Sequence, residues 1–204
     1  MKFSVVRTLG YYLGGIWTAW GGRKRIAAKQ LKNLRYLVKV VREKSPYFKE
    51  LYRDLPDSEV IKLSDLPVTS KIELMADFDR WLTDRSLTLA RARRHMESME
   101  NLGVPIGDYA VFRTSGTSGE PAVIVASASM IESIFGLTLA RMSRRHFRLA
   151  KEIERSGTNV VLTGGNGHFV GAGFDLLRQN LKIPLKRTFQ FIPAEQAIEQ
   201  TVKQ

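Results

Sequence analysis

The sequence predicts an α/β fold, and three observations carry that expectation. Residues 109–113 and 122–125 are short apolar runs of strand character on either side of a turn built from hydroxyl residues and glycine. Residues 159–163, Asn-Val-Val-Leu-Thr, have the length and apolarity of a buried strand, and a glycine-rich passage follows at 164–173. That passage leads into a helical pattern at 174–180. A strand, a flexible turn and a helix form the α/β unit in which ligands sit at the C-terminal ends of strands.

With 204 residues, the chain suffices for one domain with a sizeable core or for part of a larger one. Hydrophobic residues at 44% and charged residues at 25% place it among packed globular proteins rather than disordered ones. The absence of cysteine excludes disulfides, thiolate metal sites and cysteine nucleophiles. His95, His146 and His168 lie far apart without ligand spacing, so no metal site is expected.

The net charge of +12 is concentrated at one end. Residues 1–53 hold seven Lys and six Arg against Glu43 and Glu50, a balance of +11 that leaves +1 for the rest. Charge thus divides the chain into a basic N-terminal helical segment, 1–53, and a remainder, 54–204. Such asymmetry is compatible with an anionic membrane or nucleic acid as partner.

Within the basic segment, residues 8–22 are uncharged and aromatic-rich, with Arg23-Lys24-Arg25 directly after. Fifteen uncharged residues fall short of the roughly 20 needed to span a bilayer, and the glycines weaken a helix. No small-residue cleavage pattern of a secretory signal follows. Trp17 and Trp20 beside the basic cluster suit a bilayer surface; a segment packed on the body of the protein is the simpler alternative. From 23 to 44 the spacing of Ala27, Leu31, Leu34, Val38 and Val41 predicts an amphipathic helix. Lys24, Lys32, Arg35, Lys39 and Arg42 fall largely off that stripe, as on a solvated face. Only Gln30, Asn33 and Tyr36 interleave, so no specific nucleic acid is expected. Ser45-Pro46 ends the helix, because the residue before proline is driven out of the α region.

Short helices and connectors follow. Ser70-x-x-Glu73 is a capping box that opens a helix over 71–78. A basic helical run over 89–99 exposes Arg91, Arg93 and Arg94 and places His95 in solvent. Gly103, Pro105 and Gly107 break the chain before the first strand. Beyond the hydroxyl-glycine turn, Ser129-x-x-Glu132 reads as a second capping box. It begins a long helix whose apolar positions are Ile131, Ile134, Phe135, Met142 and Leu149, with Gly157 as its stop. A strand at 188–192 precedes a helix from 194 with no stop signal.

The chemistry concentrates at Thr114-Ser115-Gly116-Thr117-Ser118-Gly119. Glycine permits backbone N–H groups to converge on a ligand. Concave turns of that kind hold anions, and hydroxyls add rotatable donors. The turn lacks the Lys-Ser/Thr pair and immediate helix of a Walker A loop. On residue types alone, a phosphate cradle and a ligand-free hairpin connection remain equally open.

The string FRTSGTSGEP resembles the phosphate-binding loop of adenylate-forming enzymes, the superfamily of acyl-CoA synthetases, luciferases and peptide-synthetase adenylation domains. The approach sequences SPYFKELY at 45–52 and LPVTSKIEL at 66–74 resemble its phenylacetate–CoA ligase branch, which includes CapK-like polysaccharide-biosynthesis proteins. The likeness runs from about residue 31 to 204. It implies a partial AMP-binding N-terminal domain over 54–204. It also implies an ATP-dependent ligase that activates a carboxylate as acyl-adenylate, with Mg²⁺, before transfer to a thiol, usually coenzyme A. Residues 114–119 would then hold the β- and γ-phosphates. His168 and Phe169, in the second glycine-rich passage, would contact the carboxylate substrate; a crowded strand-to-helix turn is the alternative.

Glu120 stands where many superfamily members have Lys, and a carboxylate beside triphosphate is unfavourable unless it turns away or meets a cation. The family's later motifs, including a Mg²⁺-positioning Thr-Glu pair and a catalytic Lys, are not matched. No catalytic residue is therefore assigned, and the chain alone is expected to be inactive. The expected setting is cytoplasmic, with a peripheral contact at the inner membrane surface through residues 1–53 as a further use. A non-enzymatic basic adaptor for anionic membrane or nucleic acid is the alternative from a different class.

Overall fold

The computed structural model describes residues 1–114, 121–145, 158–163, 168 and 188–193. In chain order the elements are α1 (Val5–Trp20), α2 (Gly22–Lys44), α3 (Pro46–Leu51), α4 (Lys71–Ala76), α5 (Phe78–Trp81) and α6 (Leu89–Glu97). They continue with β1 (Tyr109–Arg113), β2 (Val123–Ser127), α7 (Ala128–Arg145), β3 (Thr158–Thr163) and β4 (Thr188–Pro193). Helices dominate, and the strands form two separate pairs, so the architecture is mixed and loosely α/β. The chain divides into two compact units, one of Met1–Ile16 with Arg94–Gln204 and the other of Trp17–Arg93. Neither boundary coincides with the change in charge near residue 53.

In the unit Trp17–Arg93, the end of α2 and the short α3 enclose a core of Val38, Tyr52 and Ile61, flanked by Val41, Phe48, Leu51, Leu55 and Leu66. Burial pushes the Tyr52 phenol above its usual range. Ser45 makes the turn between the helices. Its N–H donates to Val41 O (2.9 Å), its hydroxyl accepts from Phe48 N (3.3 Å), and the same hydroxyl donates to Arg80 O (3.2 Å). One residue thereby closes α2, caps α3 and ties both to α5, with Pro46 in the first helical position, where its missing N–H costs nothing.

The stripe expected on α2 is buried only in its second half, because this core reaches no further. Ala27 and Leu31 are exposed. Arg42 departs from a solvated face too. Its guanidinium donates to Tyr52 O (2.6 Å), Leu55 O (2.7 Å) and Pro56 O (2.9 Å), gathering the carbonyls of the turn after α3. The Ser70 capping box forms as expected, with Glu73 N donating to Ser70 Oγ (3.2 Å) and Ser70 N to Glu73 Oε2 (2.8 Å). These bonds from the Ser70 backbone and hydroxyl hold the Glu73 carboxyl below its usual range.

The other unit is built on the antiparallel pair β1–β2, in register from Tyr109 with Ser127 to Arg113 with Val123. Ala110, Phe112, Ala126 and Ile131 form its buried cluster, with Met1, Phe3, Ile124 and Phe135 packed alongside. The N-terminal half of α1 crosses α7 at close range. A Cβ on Gly136 would come within 2.7 Å of Thr8 O and Tyr11 Cβ, and one on Gly15 within 2.9 Å of Ala140 Cβ. Of the glycines in α1, Gly15 therefore has a packing use, whereas Gly10 and Gly14 have open space where a Cβ would stand. Of the two alternatives for residues 8–22, the stretch Thr8–Gly15 is helical and lies against α7.

The second capping box does not form. Met130 N donates to the hydroxyl of Ser127, the residue before the helix (3.2 Å), and Ser129 Oγ bonds the Tyr11 hydroxyl (2.9 Å). Glu132 instead turns inward to the N-terminal segment, accepting from Ser4 N (2.5 Å), Arg7 Nε (2.6 Å) and Arg7 Nη2 (3.0 Å). Ile131 and Glu132 are buried on α7, whereas Ile134 is exposed. The predicted strands at 159–163 and 188–192 are present, each slightly longer, and pair in parallel from Thr158 with Thr188 to Thr163 with Pro193. Parallel pairing requires a crossover rather than a hairpin, as the α/β expectation implies. Met142's surroundings, His146, Leu149, Gly157, the helix at 174–180 and the terminal helix lie outside the described residues.

Candidate functional site

Alternating apolar and β-branched residues make β1 and β2 a hairpin, and the hairpin sets the neck of the hydroxyl-glycine turn. Thr114 is the first residue of that turn and the one the structure describes; Ser115, Gly116, Thr117, Ser118 and Gly119 lie outside the described residues, as does Glu120. Thr114 N donates to Ala122 O (3.0 Å), and Ala122 N donates to Thr114 Oγ1 (2.9 Å). These bonds extend the β1–β2 ladder by one residue, to Thr114 and Ala122. The Thr114 hydroxyl spends one lone pair on this latch and retains its own O–H.

The opposite edge of β1 brings in His168. Arg113 N donates to His168 O (2.7 Å), so the second glycine-rich passage touches the first strand one residue before the turn begins. The His168 ring is 3% exposed, and its Nε2 lies 3.1 Å from Ser98 O. Phe169 lies outside the described residues.

His95 completes the cluster. Expected in solvent, it is instead half-buried, with its Nε2 2.9 Å from Val104 O and its ring packed edge-on against His168 at 5.8 Å between centroids. A carbonyl only accepts, so both imidazoles carry a proton on Nε2 in this arrangement. Asn101 Nδ2 donates to His95 O (3.0 Å) and Ser98 Oγ accepts from Glu100 N (3.3 Å), which fixes the turn that presents both carbonyls. No local signal marks His95, because its partner is 73 residues away and its neighbours Arg91, Arg93 and Arg94 are exposed and basic.

Chemically, the described part of the site offers Thr114 bonded to Ala122 at the end of the hairpin, and a buried His168 packed against a half-buried His95, each ring bonded to a backbone carbonyl. Among the described residues, no group of three or more His, Asp or Glu is arranged to hold a metal ion. No protein-family model, curated protein or solved structure matches this chain.

Proposed function

We propose that residues 114–119 bind the triphosphate of ATP in an enzyme that activates a carboxylate by adenylation, in the manner of the phenylacetate–CoA ligase branch. The observation that carries this reading is the string FRTSGTSGEP set on a two-stranded hairpin whose neck is latched by Thr114 and Ala122. In this reading the N–H and hydroxyl donors of residues 114–119 stabilise the charge that develops on departing pyrophosphate. His168, whose carbonyl accepts from Arg113 N, is the residue that the resemblance gives to the carboxylate substrate.

In this reading the carboxylate attacks the α-phosphorus and pyrophosphate leaves; the thiol of coenzyme A or another acceptor then attacks the acyl carbonyl, the bond to the adenylate phosphate breaks, and AMP and a proton leave. The residues of this chain supply the grip on the leaving phosphates. No step is assigned to Mg²⁺.

Binding of ATP is the test. Titration with ATP should shift the amide resonances of 114–119 and of Ala122. Gly116→Val with Gly119→Val should weaken binding by at least about tenfold, because two side chains block close approach of the phosphates. An unperturbed loop at saturating ATP overturns the reading. Pyrophosphate release with aryl and fatty acids should remain at background for this chain alone.

A further inference from the structure

We propose that the segment Trp17 to Lys32 docks on an anionic lipid bilayer, lying in its interface. The inference does not depend on the ATP-binding reading. Two observations bear on it, one about apolar surface and one about charge.

Trp17 and Trp20 are 62% and 72% exposed, and Ile26 and Leu31 on α2 are also exposed. Exposed tryptophans that lead into a basic helix are expensive in water unless something covers them. Gly22, with φ of +65°, then breaks the chain between α1 and α2.

The charge is of one sign. From Met1 to Arg42 there is no Asp or Glu. Arg23, Lys24, Lys29 and Lys32 on the first half of α2 are exposed. Arg25 lies over the Trp17 ring, 4.1 Å from its centroid, and donates to Trp17 O (3.0 Å). A Cβ on Gly21 would overlap the Arg25 side chain, so glycine there allows the guanidinium to fold back. The cation thereby holds an indole in place beside the other cations.

Lysine and arginine next to exposed indole and aliphatic side chains match the two layers of an anionic membrane surface, headgroup phosphate and acyl boundary. Nucleic acid would use the cations but leave the exposed Ile26 and Leu31 without a partner. No helix among the described residues is long and apolar enough to cross a membrane, so the contact is interfacial.

The test uses the whole 204-residue chain, phosphatidylcholine vesicles and vesicles of phosphatidylcholine mixed with phosphatidylglycerol, read by co-sedimentation and tryptophan emission. Partition onto the anionic vesicles should exceed that onto neutral ones at least about tenfold, fall with added salt and shift the emission to the blue. Trp17→Ser with Trp20→Ser, and separately Arg23→Glu with Lys24→Glu, should each weaken binding at least about fivefold without altering the circular dichroism melt, since all four side chains are exposed. Lys39→Glu with Lys44→Glu, further along α2, should weaken it less. Equal binding to both vesicle types, retention after either first pair of substitutions, an equal loss from the Lys39 and Lys44 pair, or vesicle binding abolished by single-stranded oligonucleotide would each overturn the proposal.

Discussion

A carboxylate without exposed surface is costly unless its charge is matched, and Glu132 is matched by two partners. Burial pushes its carboxyl upward, but the Arg7 guanidinium and the Ser4 N–H outweigh that and hold it below the usual value of 4.5. A lowered value in the folded state means its contribution is full above 4.5 and is lost as pH falls through the lowered value. Acid should therefore loosen the attachment of residues 4–7 to α7. Glu132→Gln should remove that acid-dependent step and cost about 2 kcal/mol at neutral pH through lost charge-assisted bonds. Arg7→Met should cost more than Glu132→Gln, since it leaves the carboxylate buried and unmatched. Urea midpoints of both variants between pH 3 and 7 check the order and the slope. This role was not legible in sequence. Ser129-x-x-Glu132 has local capping spacing, whereas the partner that prevails is 125 residues away. Ser70-x-x-Glu73, with no such distant competitor, was read correctly.

At the scale of elements, the glycines of α1 and α7 separate propensity from packing. Gly10 has open space where a Cβ would stand, while Gly136 faces the Thr8 carbonyl and the Tyr12 amide nitrogen, which is 3.0 Å from the built Cβ. Gly10→Ala should raise stability by roughly 0.5–1 kcal/mol, the ordinary gain for an exposed helix interior. Gly136→Ala gains the same propensity but must separate two backbones, at a cost of about 1–3 kcal/mol, so its net effect should be destabilising. Thermal melts of the two single variants should move in opposite directions. Helix positions were legible because periodicity survives tertiary context: α2, α4 and α6 fall close to their expected ranges. Which glycine touches a neighbour depends on a crossing that no single stretch of sequence encodes. The hairpin around the hydroxyl-glycine turn was legible from its flanking strands, but the latch between Thr114 and Ala122 needed coordinates. Thr114→Val should open that latch and cost about 1 kcal/mol, whereas Thr114→Ser, which keeps the acceptor, should cost less. Amide exchange at Ala122 distinguishes the pair.

At the scale of the molecule, charge and contacts divide the chain differently. The basic excess sets off residues 1–53, yet Met1–Ile16 belongs to the same compact unit as Arg94–Gln204. Charge reports on solvent and partners, while the unit is defined by buried surface, and the first residues contribute to it directly. Met1 and Phe3 pack on the cluster of Ala110, Phe112, Ala126 and Ile131, and the Met1 amino group donates to Gly107 O (3.2 Å). Ser4 and Arg7 satisfy Glu132, and Thr8 to Gly15 fill the close approach to α7. Removing residues 1–16 should thus strip one side of the β1–β2 hairpin and leave a buried carboxylate unmatched. Hydrogen exchange should accelerate at 109–113 and 123–140, with protection across α3 and α5 retained, because the core of Val38, Tyr52 and Ile61 draws nothing from the deleted stretch. A detachable basic segment would leave both sets of amides unchanged. If exchange rises instead around Ser45 and Phe78, the two units share their stability and the division by contacts does not describe how the protein unfolds.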